Sequence, residues 1–487
     1  MSAPRLLYLV HCLPPEEQSG TPLVAYGYAH ALAARGFEVT VAYPTDTPTP
    51  WELVPERWVG EPFDRVVVPT TSFRGEHWSI DAASDDGTDA PRANQAFLGL
   101  LRLIVPDLVH VLNNVHLPLS WPELAHEQGI PVVRSVTCTE DLCGLIAPVS
   151  PRSGSGGYCQ APLTPEGCAR CVEARRSASA VVVPPAGRGD GPGTVISVPS
   201  ASSVAAPDGP VPSDHTLLRA IADQHPRLVD ALRHKRARSA SQYRRVFDRV
   251  VFATPGFRHY FEQTLPLDPG KVRVIEMGME LSRWGSRTNG GAGAAFAPLP
   301  SAEPGHPVVF CLAAGLATMK GFDAVAEAFT SPGLLRREDY RLVLLGGGDE
   351  RLVAPMLAAN PNISWHGPYR SDDLPELLSR VDVGLSTSYF ETFHRVTREY
   401  LLAGRPVIGS RAFGIPDIIR PGRNGLLFDH RDAGSLARAV ITLLEDRELL
   451  ATLADGARAT DVRSTDDEAD ELAALYAEVL AEASPLE

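Results

Sequence analysis

Lysine is nearly missing. The 487-residue chain has three, Lys235, Lys271 and Lys320. Arginine carries almost all of the positive charge, so a lysine kept against this bias invites a functional question. Positive charge as a whole is also short: 45 Lys and Arg against 59 Asp and Glu leave a net −14. An acidic chain lacks the basic footprint of non-specific nucleic-acid binders, and no nucleic acid is expected as a partner. Long apolar runs are absent too. Nothing approaches the ~18 uninterrupted apolar residues of a membrane-spanning helix. The N-terminal stretch MSAPRLLYLVHCLPP resembles a signal peptide only superficially. His11 interrupts its apolar run, no small-residue cleavage site follows, and Glu16 and Glu17 come next. It reads as a first core strand. Cysteine is sparse, with seven residues, which suits thiols or metal ligands rather than a disulfide framework. The cytoplasm is the expected compartment.

What is present is an ordinary globular mixture, 44% hydrophobic and 21% charged. At roughly 100–200 residues per domain, the length suits two or three domains. Glycine and proline are in excess but unevenly spread. Residues 181–213 hold twelve of them and only three charges, which marks a flexible insertion. Residues 285–306 are a second such stretch and read as a linker. No repeat of short period is visible.

On either side of that linker, short apolar runs alternate with helical patterns. The first half has RLLYLVH (5–11), FEVTVAY (37–43), DRVVVP (64–69), DLVHVL (107–112), PVVRSV (131–136), RVVFAT (249–254) and VRVIEM (272–277). The second has PVVFCLA (307–313), YRLVLLG (340–346), NISWHG (362–367), VDVGLST (381–387), PVIGS (406–410) and GLLF (425–428). Near-continuous β-branched strands between helices predict parallel sheets covered on both faces. The expected fold class is α/β, with two Rossmann-like domains facing a cleft, over residues 1–284 and 307–465. An amphipathic helix over 466–483 follows and could pack on either domain. Ligands in such sheets bind at the carboxyl ends of the strands, so the chemistry belongs in the loops there.

Three places in those loops carry candidate residues. Gly20 precedes a helix that Thr21, Pro22 and Gly36 punctuate, and lets a ligand approach the helix N-terminus; a plain strand-to-helix turn is the other reading. In VVFCLAAGLATMKGFDAVAEAF, Gly315 and Lys320-Gly321 put an ammonium beside backbone N–H donors, a plausible diphosphate cradle; a surface lysine is the alternative. The Walker pattern is absent. STSYFETFHRVTREYLLAGRPVIGS holds Glu391 in the loop and Glu399 about one turn into a helix. Between them, the N–H groups of His394, Arg395 and Val396 form a helix N-terminus able to bind anionic oxygens. A carboxylate accepting two ribose hydroxyls makes charge-assisted hydrogen bonds. Spacing alone favours the plainer reading, two glutamates on a solvated amphipathic helix.

In order, these pieces resemble family 4 of the retaining glycosyltransferases, which have the two-domain GT-B fold. They run from Ser19–Thr21 through Gly278 and Glu280, Lys320-Gly321, Gly346–Gly348, Gly367 and Glu391-x7-Glu399 to AGRPVIGS, FGIPDII and GRNGLLF. The resemblance spans nearly the whole chain and is densest from 307 to 445. It implies an N-terminal acceptor domain with a cysteine-containing insertion at about 140–215, and a C-terminal domain that binds a nucleotide-sugar donor. It implies Glu391 near the reacting centre, Glu399 on the ribose, and Lys320 with helix N-termini on the departing diphosphate. No metal or other cofactor is required for catalysis, which rests on positioning and leaving-group electrostatics. The acceptor is not identified.

The chain also departs from the family. Ala314-Gly315-Leu316 lacks the arginine usual there, for which Arg395 and Arg398 are the candidate substitutes. His394 stands where glycine is usual and Asp417 where glutamate is. After PVVRSV, Thr137-Cys138-Thr139-Glu140-Asp141 replaces a histidine; Glu140 or Asp141 is a candidate substitute, and a helix cap the duller option. These departures motivate a second reading, a non-catalytic GT-B partner or nucleotide-binding subunit. Cys143, Cys159, Cys168 and Cys171 suit a tetrahedral structural zinc site, with four free thiols as the alternative. The one basic run, 232–249, reads as a solvated helix face or as a contact for an anionic acceptor or a membrane surface.

Overall fold

Two parallel sheets organise the chain. The structure, a computed structural model, describes residues 3–14, 20–45, 51–69, 90–113, 117–142, 164–166, 168–169, 226–284, 299–302, 305–430, 432 and 434–483. The first sheet contains β1 (Arg5–Leu9), β2 (Glu38–Thr45), β3 (Glu56–Arg57), β4 (Asp64–Pro69), β5 (Leu108–Val111), β6 (Val132–Val136), β7 (Arg249–Phe252) and β8 (Val272–Val274). Their connections include α1 (Gly20–Ala33), α2 (Ala90–Ile104), α3 (Trp121–Glu127), α4 (Pro226–Arg245) and α5 (Pro255–Glu262). The order is β3-β4-β2-β1-β5-β6-β7-β8. Only β3 is antiparallel to its neighbour. It was invisible in the sequence because Glu56 and Arg57, both exposed, carry no apolar signal.

The second sheet has β9 (Val308–Ala313), β10 (Tyr340–Leu345), β11 (Ile363–Gly367), β12 (Val383–Ser386), β13 (Val407–Ser410) and β14 (Gly425–Phe428), ordered β11-β10-β9-β12-β13-β14 and parallel throughout. Its helices are α6 (Phe322–Phe329), α7 (Pro332–Leu335), α8 (Glu350–Ala359), α9 (Leu374–Ser379), α10 (Arg395–Leu402), α11 (Ser435–Glu445) and α12 (Arg447–Arg458). The β-branched and leucine-rich strands are buried because helices cover both faces. In each sheet the strand order reverses once, between β1 and β5 and between β9 and β12. The crevices at those two points are where a doubly wound sheet binds ligands.

A last helix, α13 (Thr465–Ala483), packs on the N-terminal sheet. The Tyr476 hydroxyl lies 2.8 Å from the Tyr8 hydroxyl and 2.6 Å from His110 Nδ1. His110 Nε2 is 2.8 Å from Ser135 Oγ. Glu468 accepts from the Tyr28 hydroxyl and, at 2.7 Å, from the Gly278 N–H. Gly278 has no alternative: a Cβ there would stand 2.1 Å from the Ser464 carbonyl oxygen. The crossing between domains is therefore a tight backbone contact. No described helix is long and apolar enough to cross a membrane.

The basic run lies mostly on α4, and part of it is held by the protein itself. Arg238 makes a two-pronged pair with Glu123 at 2.9 and 2.5 Å, and Arg233 pairs with Glu166. Arg236 donates to the Leu142 carbonyl at 3.2 Å and to Cys168 Sγ at 3.0 Å. Lys235 is buried, whereas Arg233, His234, Arg244 and Arg245 are exposed, as on a solvated helix face.

Candidate active site

The crevice between β9 and β12 brings two separated sequence signals together. After β9 the chain makes a short 3₁₀ turn, Thr318–Lys320, and reverses at Gly321, whose φ is +73°. A Cβ at Gly321 would lie 1.9 Å from the Thr387 carbonyl oxygen, so only glycine lets the two loops touch. They are tied by Thr387 Oγ1 donating to the Lys320 carbonyl at 2.8 Å and the Tyr389 N–H donating to the Met319 carbonyl at 3.0 Å. Lys320 Nζ consequently reaches Glu391 Oε1 at 2.6 Å. The ammonium remains one-third exposed, whereas the carboxylate is 15% exposed. Burial pushes the Glu391 carboxyl up, but His394 and Lys320, with hydrogen bonds from Lys320 and Ser388, outweigh it and hold it below its usual range. His394 is itself pushed down to about 4, by burial first and by Lys320 and Arg398, against the pull of Glu391. It is neutral at neutral pH, so there Lys320 is the charge that keeps Glu391 ionised.

His394 caps α10. Its Nδ1 accepts from the Thr397 N–H at 3.2 Å and lies 2.5 Å from Thr397 Oγ1. That assigns the proton to Nε2, which stands 3.8 Å from Glu391 Oε1. The backbone at His394 is left-handed, φ +60°, which explains glycine as the usual occupant of such a position. The histidine trades that freedom for a side-chain cap. Arg395 and Val396 form the first turn beyond it and are half-buried. Glu399 follows within the helix, 9% exposed, and no described residue hydrogen-bonds its carboxylate. Burial raises its pKa, opposed by Arg395 and Arg283. This carboxylate is poised to accept hydroxyl donors. Gly315 is exposed and has open space where a Cβ would be, so the fold does not itself require glycine there. Gly20 opens α1 across the cleft with φ +45°; Ser19 lies outside the described residues.

Arg398 does not face the crevice. It is 1% exposed, pairs with Glu276 at 2.5 Å and stacks 3.7 Å over the Phe393 ring. Of the two candidate replacements for the missing arginine, Arg395 is the one with no hydrogen bond to a described residue. Glu140 and Asp141, the candidates for the acceptor side or for a helix cap, are held in ion pairs. Both pair with Arg134, which is fully buried on β6, at 2.5 and 2.7 Å, and Asp141 also accepts from Tyr243 at 2.8 Å. A buried guanidinium demands such counter-charge; nothing in the local sequence announced it. Among the described residues, the N-terminal switch point places His11 and Asn113 together, joined at 2.6 Å at the ends of β1 and β5.

Cys143, Cys159 and Cys171 lie outside the described residues. Cys168 is buried, and its sulfur accepts from Arg236. Among the described residues no group of three or more His, Cys, Asp or Glu is arranged to hold a metal ion.

Residues 306–446 match the family model described as "Glycosyl transferases group 1". The match lies in the C-terminal domain, and both halves of the crevice, Lys320 and the Glu391–Glu399 segment, fall within the matched residues. The chain is 31% identical over 209 residues to a D-inositol 3-phosphate glycosyltransferase of Salinispora arenicola, covering 39% of this chain and 46% of that one. It is 32% identical over 142 residues to an N-acetyl-alpha-D-glucosaminyl L-malate synthase of Bacillus anthracis, covering 29% and 37%. The matched segments thus span less than half the length of these curated relatives. The whole fold is shared with solved GT-B structures. Sucrose-phosphate synthase from Thermosynechococcus elongatus superposes with a TM-score of 0.60 over 98% of this chain and 100% of that one, at 14% identity. The Anabaena protein HepE in complex with UDP and glucose gives 0.56 over 97% and 99%, also at 14% identity.

Proposed function

We propose that this protein transfers a sugar from a nucleotide-sugar donor to an acceptor hydroxyl, with retention of anomeric configuration. The observation that carries the reading is the Lys320–Glu391 pair at 2.6 Å, set in the switch-point crevice beside the start of α10. Lys320 and the N–H groups of Arg395 and Val396 take the donor diphosphate and stabilise the charge that grows on it as the sugar departs. Glu391, kept ionised, lies against the donor sugar and the reacting centre. Glu399 accepts the ribose hydroxyls, and Gly315 and Gly20 leave room for the donor. The group 1 match and the D-inositol 3-phosphate glycosyltransferase similarity support sugar transfer, and the fold shared with HepE, solved with UDP and glucose, supports a nucleotide-sugar donor. The domains divide accordingly, with residues 1–284 on the acceptor side, 307–465 on the donor side, and 285–306 as the linker.

A competing reading keeps the nucleotide and drops the turnover. Its specific support is that Glu140 and Asp141 are consumed by Arg134, and Arg398 by Glu276. A binding and hydrolysis screen with UDP-, GDP- and dTDP-sugars separates the two. Release of nucleoside diphosphate supports the transferase; binding without release supports the partner subunit. We also propose a structural zinc at Cys143, Cys159, Cys168 and Cys171. Metal analysis of the purified protein should find about one zinc per chain, and a content near zero would reject it.

A further inference from the structure

The loop that carries Glu391 is fastened by both halves of the molecule, and the changeover falls at Phe390, the residue before Glu391. On the side before it the anchors belong to the C-terminal domain. Thr387 Oγ1 donates to the Lys320 carbonyl at 2.8 Å, Ser410 Oγ to the Ser388 carbonyl at 2.6 Å, and the Tyr389 hydroxyl to Asp323 at 2.8 Å. From the next residue the anchors change. Phe390 leaves its own domain and lies, 6% exposed, in the core of the N-terminal one. Its ring is edge-on to Phe257 of α5 at 5.9 Å, 6.5 Å from Tyr260, and 5.7 Å from Phe413. Past Glu391, the Thr392 carbonyl accepts from Thr254 Oγ1 at 3.1 Å, the same hydroxyl that caps α5. Arg398 donates to the Phe393 carbonyl while pairing with Glu276.

We propose that Phe390 is a positioning residue: through its socket on α5, the N-terminal domain sets where Glu391 stands relative to Lys320. The inference rests on the reading of that pair as the reacting centre. Its ring packs on Phe257, Tyr260 and Phe413, so its effect on the ion pair passes through the backbone to Glu391. A stiff ring in a close-packed aromatic socket transmits displacement rather than absorbing it. A domain shift that moves α5 drags Phe390, and Glu391 is bonded to it directly. The pair is then complete only with the domains docked in this arrangement, so water meets an incomplete centre when they part.

The test uses the full chain with Phe390→Ala, Tyr260→Ala and the conservative Phe390→Leu. Amide hydrogen exchange of residues 387–394 is compared with that of β10, and nucleoside-diphosphate release from the best UDP- or GDP-sugar is measured. In Phe390→Ala, loop exchange should rise at least about tenfold while β10 stays protected. The kcat should fall roughly 10–10²-fold, the loss expected from an ångström-scale misplacement, with donor KM changed less than about threefold. Tyr260→Ala should follow in weaker form, and Phe390→Leu should recover most of the loss. Unchanged loop exchange in Phe390→Ala overturns the proposal. So does a parallel loss of β10 protection, donor KM and kcat, which would mark a merely structural residue. If the wild type cleaves no donor, the proposed function fails, and the exchange comparison still decides whether Phe390 holds the loop.

Discussion

Lys320 is one of three lysines in the chain, and its ammonium stands in the crevice proposed for the donor diphosphate. Glu391 pairs with it in the structure, so on that proposal an incoming diphosphate competes with a carboxylate. Removing either partner should be costly for the transition state. Lys320→Ala and Glu391→Ala are each expected to lower turnover by roughly 10²–10³, as losing one preorganised electrostatic contact does. Steady-state nucleotide release checks this, and near-native rates in both variants would contradict the assigned roles. Both residues were legible as separate signals, a lysine at a helix start and a glutamate after a strand. Their pairing was not, because 71 positions separate them and only strand order brings them together. Arg134 was illegible for a related reason. A guanidinium inside PVVRSV looks like an interruption of a strand until the carboxylates of Glu140 and Asp141 fold beneath it.

At the scale of elements, the strands were readable from their apolar runs because both faces of a parallel sheet are buried. The reading failed only where a strand was short and polar, at β3. Loops were readable in composition but not in contact. Gly321 shows the difference: its place in the Lys320-Gly321 motif was evident, whereas the reason for glycine is the Thr387 carbonyl against its missing side chain. Gly321→Ala should therefore destabilise the fold by roughly 2–4 kcal/mol, adding a left-handed backbone penalty to an overlap with backbone that cannot yield. Urea denaturation measures it; a change below the error of the method would mean that the two loops do not touch in solution. His394 occupies a comparable left-handed position, but its cap on the Thr397 N–H offsets part of the strain.

For the whole molecule, the amphipathic pattern of α13 did not say which domain it would join, because an apolar stripe fits any complementary groove. Its polar residues decide the matter through Tyr476 and Glu468, which meet partners on β1, α1 and the interdomain crossing at Gly278. Glu468 makes that junction sensitive to pH. Burial lifts its pKa to about 7, against the lowering effects of the Gly278 N–H, the Tyr28 hydroxyl and nearby arginines. A carboxyl raised in the folded state contributes stability fully below its unfolded pKa of 4.5 and loses it as pH rises through about 7. The melting temperature of the wild type should therefore fall between pH 5 and pH 8 by more than that of Glu468→Gln, which cannot ionise. Parallel pH dependence in the two proteins would place the Glu468 carboxyl in water instead. Whether the two-domain molecule takes an anionic sugar donor at Lys320 is decided by calorimetric titration of UDP, GDP and dTDP into the wild type and Lys320→Ala, with a chelator present. At least one of these diphosphates should bind the wild type without a divalent metal, and Lys320→Ala should weaken it by about tenfold or more, roughly 1.4 kcal/mol. Absence of binding to the wild type, or equal affinity in the two proteins, would contradict the proposed donor site.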